Sequence, residues 1–211
     1  MSPITVLITG AARGMVQLSF SKCENKLSNN SVGLGRGMAA QFLLGANTTV
    51  IAGVRDVENK ASLQLNKLPR GSGSKLVVVK IDSNSPNDAI EAVNYARSTE
   101  NISQIDIAIA NAGICEHLVS LADAEVEEMN RIVNTNTWGL LRLYQATLPF
   151  LREAPMPKLV YISSQLGCIA HAASNADCIG PYGLSKAAGN YMVQKIAAEN
   201  PWLISFAIDP G

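Results

Sequence analysis

The beginning of the chain limits what it can fold into more than any other stretch. The apolar run from Ile4 to Ile8 is strand-sized, and a turn follows it directly at Thr9-Gly10. Glycines resume at Gly33, and a helical pattern of apolar residues extends from Gly37 to Leu44. A strand, a glycine-rich turn and a helix N-terminus predict a site for a pyrophosphate group. Glycines let backbone N–H groups approach phosphate oxygens, and the helix dipole favours their charge.

A polar insert of seventeen residues, 15–31, interrupts this unit, and it is rich in Asn, Ser and Lys. Joining Gly14 to Val32 would restore one continuous turn. Codons for Gly14-Met15 and for Ser31 could supply the GT and AG ends of an intron. We therefore hypothesise a retained intron that is translated in frame, with a genuine surface loop as the alternative. Spliced messenger reads that join Gly14 directly to Val32 would support the intron, and reads that all carry the insert would exclude it.

Strand-sized apolar runs alternate with helical patterns over the rest of the chain. The runs are continuously apolar rather than alternating, which is typical of parallel strands covered on both faces. We therefore predict an α/β fold: a doubly wound parallel sheet of the Rossmann type with helices on both faces, formed as a single domain over residues 1–211. The predicted strands are 4–8, 48–53, 75–81, 105–110, 159–162 and 203–208, and the predicted helices are 37–44, 86–99, 123–152 and 182–200.

The composition argues against several classes of partner. Formal net charge is zero and charged residues make up 16% of the chain, so bulk electrostatics does not attract nucleic acid or an acidic membrane. The four cysteines have no CxxC spacing and only two histidines are present, which predicts free thiols and no metal site. The apolar runs are too short for a signal peptide or a membrane span, so we predict a soluble cytoplasmic protein.

Tyr182 and Lys186 are four residues apart in a predicted helix, so both side chains project from one face. A phenol with its ordinary pKa of about 10 is a poor acid or base at neutral pH, whereas a neighbouring ammonium group favours the phenolate and lowers that pKa. The pair could then exchange a proton with a carbonyl or alcohol oxygen. This spacing also arises by chance, and the structural alternative is a half-buried tyrosine beside a solvated lysine.

Two further polar residues occur where buried elements end or bend. Ser164 closes a predicted strand, where its hydroxyl could hydrogen-bond a substrate oxygen; the alternative is a serine that caps a turn. Asn136 lies in an Asn-Thr-Asn-Thr run inside the predicted helix 123–152. These residues are mediocre helix formers, so the run predicts a kink that frees a backbone carbonyl. The alternative is a polar helix face.

Two arginines indicate which dinucleotide the turn would hold. Arg13 lies in the glycine turn and Arg55 follows the second predicted strand, so both would approach the adenosine ribose. An acidic residue at the end of that strand suits a ribose 2′-hydroxyl, whereas arginine suits a 2′-phosphate. Asp56 follows directly, so the pattern favours NADP over NAD without excluding NAD. The alternative for each arginine is surface charge.

These motifs together resemble the short-chain dehydrogenase/reductase family. The matching residues occur in the family's order along nearly the whole chain: Thr9-Gly10, Gly14, Gly33, Asp82, Asn111-Ala112-Gly113, Asn136, Ser164, Tyr182, Lys186 and Pro210-Gly211. The surrounding sequence is similar to fungal ketoreductases that act on aromatic polyketides such as norsolorinic acid. The resemblance implies an NAD(P)-dependent oxidoreductase that transfers hydride between NADPH and a ketone or secondary alcohol.

The resemblance also implies roles for the matching residues. Tyr182 would donate or accept the proton, and Lys186 would bind the nicotinamide ribose and lower the pKa of Tyr182. Ser164 would polarise the carbonyl, and Asn136 would hold a water molecule of the proton relay. The implied cofactor-binding residues are Thr9, Gly10, Arg13, Gly14, Gly33, Arg55, Asp82, Asn111, Ala112, Gly113, Tyr182, Lys186, Pro210 and Gly211. The family further implies a small-molecule substrate and a homodimer or homotetramer formed through the two long helices.

Two features depart from the family's pattern. The insert 15–31 separates the turn from its helix, which would disturb the geometry of phosphate binding. The family continues beyond Pro210-Gly211 with a substrate loop, a helix and a seventh strand, so we expect this chain to lack its C-terminal part. The alternative to an active reductase is therefore a catalytically inactive or fragmentary protein that binds a dinucleotide or another partner.

Overall fold

A computed structural model describes residues 3–12, 33–116, 119–173 and 180–211, and it contains one parallel sheet. The strands are β1 Ile4–Thr9, β2 Thr48–Val54, β3 Lys75–Lys80, β4 Ile107–Ala110, β5 Lys158–Ile162 and β6 Ile204–Ile208. Their order in the sheet is β3-β2-β1-β4-β5-β6, and every neighbouring pair is parallel. The strand order reverses between β1 and β4, so the carboxyl ends of these two strands flank the crevice where such sheets bind ligands.

Helices connect the strands and confirm the predicted doubly wound α/β fold. They are α1 Leu34–Leu44, α2 Lys60–Leu63, α3 Asp88–Ser98, α4 Val126–Val133, α5 Gly139–Leu151, α6 Ile169–Ala172 and α7 Gly180–Glu199. Short 3₁₀ turns occur at Gln64–Lys67 and Gln165–Gly167, and a π-helical turn, Asn134–Trp138, separates α4 from α5.

The central strands of the sheet are covered on both faces because they present apolar side chains to each, whereas β6 is partly exposed. On one face Leu7 packs with residues of the helices α3 and α5, among them Val93 and Leu143. On the other face Val6 packs with residues of α1, among them Leu43. Burial on both sides explains why the strands are continuous apolar runs in the sequence.

The largest differences from the predicted elements are in the first helix and in the helix predicted over 123–152. Helix α1 begins at Leu34 rather than at Gly37, with Gly33 as its N-cap. Its first turn contains glycine, which has a low helix propensity, and this masked the helical pattern there. The helix predicted over 123–152 begins at Val126 and is divided by the π-helical turn Asn134–Trp138, which lies at the Asn/Thr run where a kink was predicted.

Within the described ranges, no helix has both the length and the apolar character needed to span a membrane. The cytoplasmic location stays a prediction. The insert 15–31, which includes Cys23, lies outside the described residues, and so does Cys178.

Candidate functional site

The carboxyl ends of β1 and β4 are joined by hydrogen bonds around Thr9. Its hydroxyl oxygen accepts the backbone N–H groups of Asn111 and Ala112, each at 3.1 Å. The Asn111 side-chain amide donates in return to the Thr9 carbonyl at 2.8 Å. Thr9 is buried, so it holds the two strand ends together from behind instead of lining the crevice.

Two glycines let helix α1 begin against the turn after β1. Gly10 has φ +67°, a backbone conformation that favours glycine. A Cβ on Gly35 would overlap the Gly10 carbonyl oxygen and lie 2.6 Å from the Asn111 side-chain nitrogen. Gly35 is therefore needed for the close approach of α1 to this turn.

A pocket opens beside this turn, at the carboxyl ends of the strands. Six of the residues implied for cofactor binding line it: Gly10, Arg55, Asp82, Asn111, Ala112 and Gly113. Ser83, Asn84 and Thr135 also line it, and sequence reasoning missed all three. The other described residues implied for cofactor binding do not line this pocket: Thr9, Gly33, Tyr182, Lys186, Pro210 and Gly211. Arg13 and Gly14 lie outside the described residues.

Asn136 is buried in the π-helical turn and its side chain is fully hydrogen-bonded. Its carbonyl oxygen accepts the N–H of Ile114 at 2.8 Å, and its amide donates to the Ile114 carbonyl and the Ser185 hydroxyl, each at 2.9 Å. The Ser185 hydroxyl donates to the Tyr182 carbonyl at 2.7 Å. Asn136 therefore connects the segment after β4 to helix α7.

Helix α7 brings Tyr182 and Lys186 to the end of β5, where both are buried. The Lys186 ammonium donates to the Ile162 carbonyl at 2.7 Å, and its nitrogen lies 5.4 Å from the centroid of the Tyr182 ring. The Ser164 side chain hydrogen-bonds the Tyr182 side chain. A Cβ on Gly113 would lie 3.2 Å from the Asn136 side-chain oxygen and 3.6 Å from the Lys186 nitrogen. The four residues predicted to be catalytic therefore lie together.

The net pKa of Tyr182 is raised in this structure, so any lowering by the Lys186 ammonium is outweighed. Burial raises the pKa of Tyr182 above its ordinary value, and the negative charge of the Cys115 thiolate would raise it further, while the hydrogen bond from Ser164 lowers it. Burial also lowers the pKa of Lys186 to about 8. The ammonium is itself desolvated and committed to the Ile162 carbonyl, which leaves burial as the dominant effect on the phenol.

Cys115 is a neighbour of these groups that sequence reasoning treated only as a free thiol. Burial raises the pKa of the Cys115 thiol to about 11, the Lys186 ammonium lowers it, and Glu116 raises it. It comes two residues after Gly113, and that position is the one signal that could have placed it at the site.

The described residues fit a dinucleotide. Gly10 and Gly35 let the start of α1 pack against the turn after β1 and the segment after β4, because a side chain at either position would meet backbone or the Asn111 amide. Arg55 is exposed at the pocket wall, where a phosphate could reach it, and Asp82 and Asn111 offer polar atoms further along the same wall.

The comparisons with known proteins agree with this geometry. The family model described as short chain dehydrogenase matches residues 30–204. Norsolorinic acid ketoreductase nor1 of Dothistroma septosporum is 36% identical over 210 residues, covering 98% of this chain and 71% of that protein. Short chain dehydrogenase gsfK of Penicillium aethiopicum is 39% identical over 212 residues, covering 99% of this chain and 75% of that protein.

Solved structures show the same architecture. NADPH-bound carbonyl reductase from chicken fatty liver superimposes with a TM-score of 0.81 at 25% identity, over 100% of this chain and 80% of that one. The sequence matches and this fold lead to one conclusion: the chain belongs to the short-chain dehydrogenase family and is an oxidoreductase of that family.

Proposed function

We propose that this chain reduces the ketone of a small aromatic polyketide with NADPH, and that Tyr182 donates the proton. The arrangement around the phenol carries the proposal: Tyr182 hydrogen-bonds Ser164 and lies beside Lys186, next to a pocket with the residues to hold a dinucleotide. This combination is a proton donor, a donor for the carbonyl oxygen and a buried cation in one place.

NADPH supplies the hydride when it is bound. Ser164 holds the carbonyl oxygen of the substrate, and Tyr182 delivers a proton to that oxygen as negative charge develops on it. Because burial raises the pKa of the phenol, the proton is present at neutral pH, as reduction requires. Lys186, with a pKa of about 8, is mostly cationic at pH 7 and stabilises the phenolate that remains.

We assign Asn136 the role of holding this relay together. Its side chain links the backbone of Ile114 to Ser185, and the Ser185 hydroxyl bonds the carbonyl of Tyr182. Asn136 lies in the π-helical turn Asn134–Trp138 between α4 and α5, and such irregular turns within helices are frequent at functional sites.

The preference for NADP over NAD is supported by the surroundings of Arg55. The guanidinium is exposed at the pocket wall, and within the described residues it has no ion-pair partner. The adjacent Asp56 carboxylate already accepts the backbone N–H of Glu58 at 2.9 Å. Arg55 is therefore available for a 2′-phosphate, while Asp56, which lines the same pocket, has one of its two carboxylate oxygens bonded within its own turn.

The substrate class rests on the named relatives. The norsolorinic acid ketoreductases of Dothistroma septosporum and Emericella nidulans are each 36% identical to this chain.

We also infer self-association through α5 and α7, supported by the exposed Tyr191 on α7 and the exposed Trp138 directly before α5.

The test is to titrate the whole chain with NADPH and NADH by fluorescence, then to follow NADPH consumption with norsolorinic acid and with a simple aliphatic ketone. Tyr182→Phe should lower kcat about hundredfold or more, the contribution typical of a positioned general acid, and leave NADPH affinity unchanged. Arg55→Ala should weaken NADPH binding about tenfold or more and spare NADH, because only NADPH carries the phosphate.

Each arm has an outcome that counts against the proposal. Full turnover by Tyr182→Phe would exclude the mechanism. Equal affinity for NADH and NADPH in the unsubstituted chain would exclude the role of Arg55. Cofactor binding without turnover on any ketone would favour the alternative, a non-catalytic dinucleotide-binding protein.

A further inference from the structure

Arg142 of helix α5 contacts two separate walls of the site without lining the pocket itself. One guanidinium nitrogen donates to the Ser83 carbonyl at 2.7 Å, in the loop that follows β3. A second guanidinium nitrogen, Nη2, donates to the Asn134 side-chain oxygen at 2.8 Å, at the start of the π-helical turn. A longer bond of 3.4 Å reaches the Asn134 carbonyl. One planar group therefore spans the loop and the turn.

The same two segments meet through three more residues. The Asn84 side-chain oxygen accepts from the Asn134 amide at 2.9 Å and from the Thr135 hydroxyl at 3.0 Å. Gly139 permits the close approach, because a Cβ there would lie 2.7 Å from the Ser83 Cβ. We call this set, Ser83, Asn84, Asn134, Thr135, Gly139 and Arg142, the loop–turn junction.

Charge makes Arg142 the dominant member of the junction. Its partners are carbonyl and amide oxygens, and within the described ranges it forms no ion pair with a carboxylate. Hydrogen bonds from a charged donor are about twice as strong as those between neutral groups. Loss of the guanidinium would leave the Ser83 carbonyl and the Asn134 side-chain oxygen without these donors.

Both segments reach the pocket, the loop through Ser83 and Asn84 and the turn through Thr135, but only the turn extends to the buried Asn136. Ser83 and Asn84 line the pocket beside Asp82, the residue that the family resemblance implies would contact the adenine. The π-helical turn carries Asn136, which bonds Ile114 and Ser185 near Tyr182. A rigid connection would keep the loop beside Asp82 and the turn that carries Asn136 in a fixed position relative to each other.

We propose that Arg142 is a positioning residue that fixes the loop beside Asp82 and the Asn136 turn to each other. The expected effect of Arg142 on cofactor binding and catalysis rests on the function proposed above. Its structural part concerns the ligand-free chain and can be tested there.

The first measurement is amide hydrogen exchange of the ligand-free chain. Arg142→Met should accelerate exchange both in 83–85 and in 134–138, because each segment loses a charged donor. Arg97→Met is the matched control. The Arg97 guanidinium of α3 stacks on Phe150, which lies on α5 like Arg142, and it forms none of the hydrogen bonds of the junction. Unchanged exchange in Arg142→Met, or a change in only one of the two segments, would overturn the inference.

The second measurement separates positioning from general stability. Arg142→Met should weaken binding of NADPH and of adenosine 2′-monophosphate about tenfold at a temperature well below unfolding, and lower kcat at saturating NADPH, whereas Arg97→Met should change neither. Arg142→Lys keeps one charged donor and should recover part of both losses. The effects of Asn134→Ala and Arg142→Met should be less than additive, because they remove the same contact. Additive effects, or equal affinities in Arg142→Met and the control, would count against the junction.

Failure of the two proposals can be told apart. A chain that binds no NADPH but shows faster exchange in both segments of Arg142→Met would contradict the proposed function and keep the junction. A chain that binds and turns over normally in Arg142→Met would contradict the junction and keep the proposed function.

Discussion

At the scale of single residues, burial decides the chemistry of the site more than neighbouring charge does. Tyr182, Lys186 and Cys115 lie close together, and for each of them burial is the largest cause of the pKa shift. The direction follows from the charge of the ionised form: burial raises the pKa of the phenol and of the thiol and lowers that of the amine. Spacing in the sequence predicted the pairing of Tyr182 with Lys186 but not this outcome.

The raised pKa of Cys115, about 11, predicts an unusual pH dependence of its alkylation. In the folded chain the rate of reaction with iodoacetamide should still rise about tenfold between pH 9 and pH 10, because only the thiolate reacts and its fraction is still growing. In urea the rate of the same reaction should level off as the pH rises above the ordinary pKa of the cysteine, about 8.5. Mass spectrometry of the Cys115 peptide measures both profiles. A plateau near pH 9 in the folded chain would show that the thiol is not buried as the structure has it.

At the scale of elements, glycines set how closely helix α7 packs against β5. A Cβ on Gly189 would lie 2.5 Å from the ring carbon Cζ and from the hydroxyl of Tyr161, a core residue that is 1% exposed. The hydroxyl of Tyr161 in turn reaches the Asn136 carbonyl at 3.4 Å. The absence of a side chain at Gly189 therefore allows the helix that carries Tyr182 and Lys186 to pack closely against the sheet.

This close packing predicts opposite effects for two glycine substitutions in helices. Gly37→Ala, on the exposed side of α1 with open space around it, should raise the free energy of unfolding by up to about 1 kcal/mol through helix propensity. Gly189→Ala gains the same propensity but overpacks the core, which costs about 1–3 kcal/mol. Urea unfolding of both variants isolates the packing cost as their difference. Equal stabilisation by both would mean that the Tyr161 ring moves aside freely.

At the scale of the whole molecule, the two edges of the sheet differ in character. The β3 edge carries Lys75 and Lys80, charges of the kind that discourage pairing between sheets. The β6 edge instead exposes Ile204, Phe206 and Ile208, by 44%, 36% and 41%. An apolar edge strand is a template for association with another chain.

In addition to the helix surface of α5 and α7, we expect the β6 edge to contribute to concentration-dependent association of the 211-residue chain. Phe206→Lys should shift the distribution in sedimentation velocity towards the monomer, because it places a charge on the apolar edge. Ile90→Lys is the control, since Ile90 is 49% exposed on α3, on a different surface. Association that is unchanged in Phe206→Lys, or equally reduced in Ile90→Lys, would assign the effect to overall charge or to another surface.

Local patterns in the sequence determined the alternation of strands and helices, and with it the parallel sheet and the edge where the site lies. Residue types at the strand ends and the Tyr182–Lys186 spacing were enough to name the family and four neighbouring polar groups. Only the tertiary structure decided which distant groups meet: Arg142 with Ser83, Cys115 with Lys186, and Gly189 with Tyr161. Periodicity is a property of neighbours along the chain, whereas desolvation and close packing depend on segments that come together only in the fold.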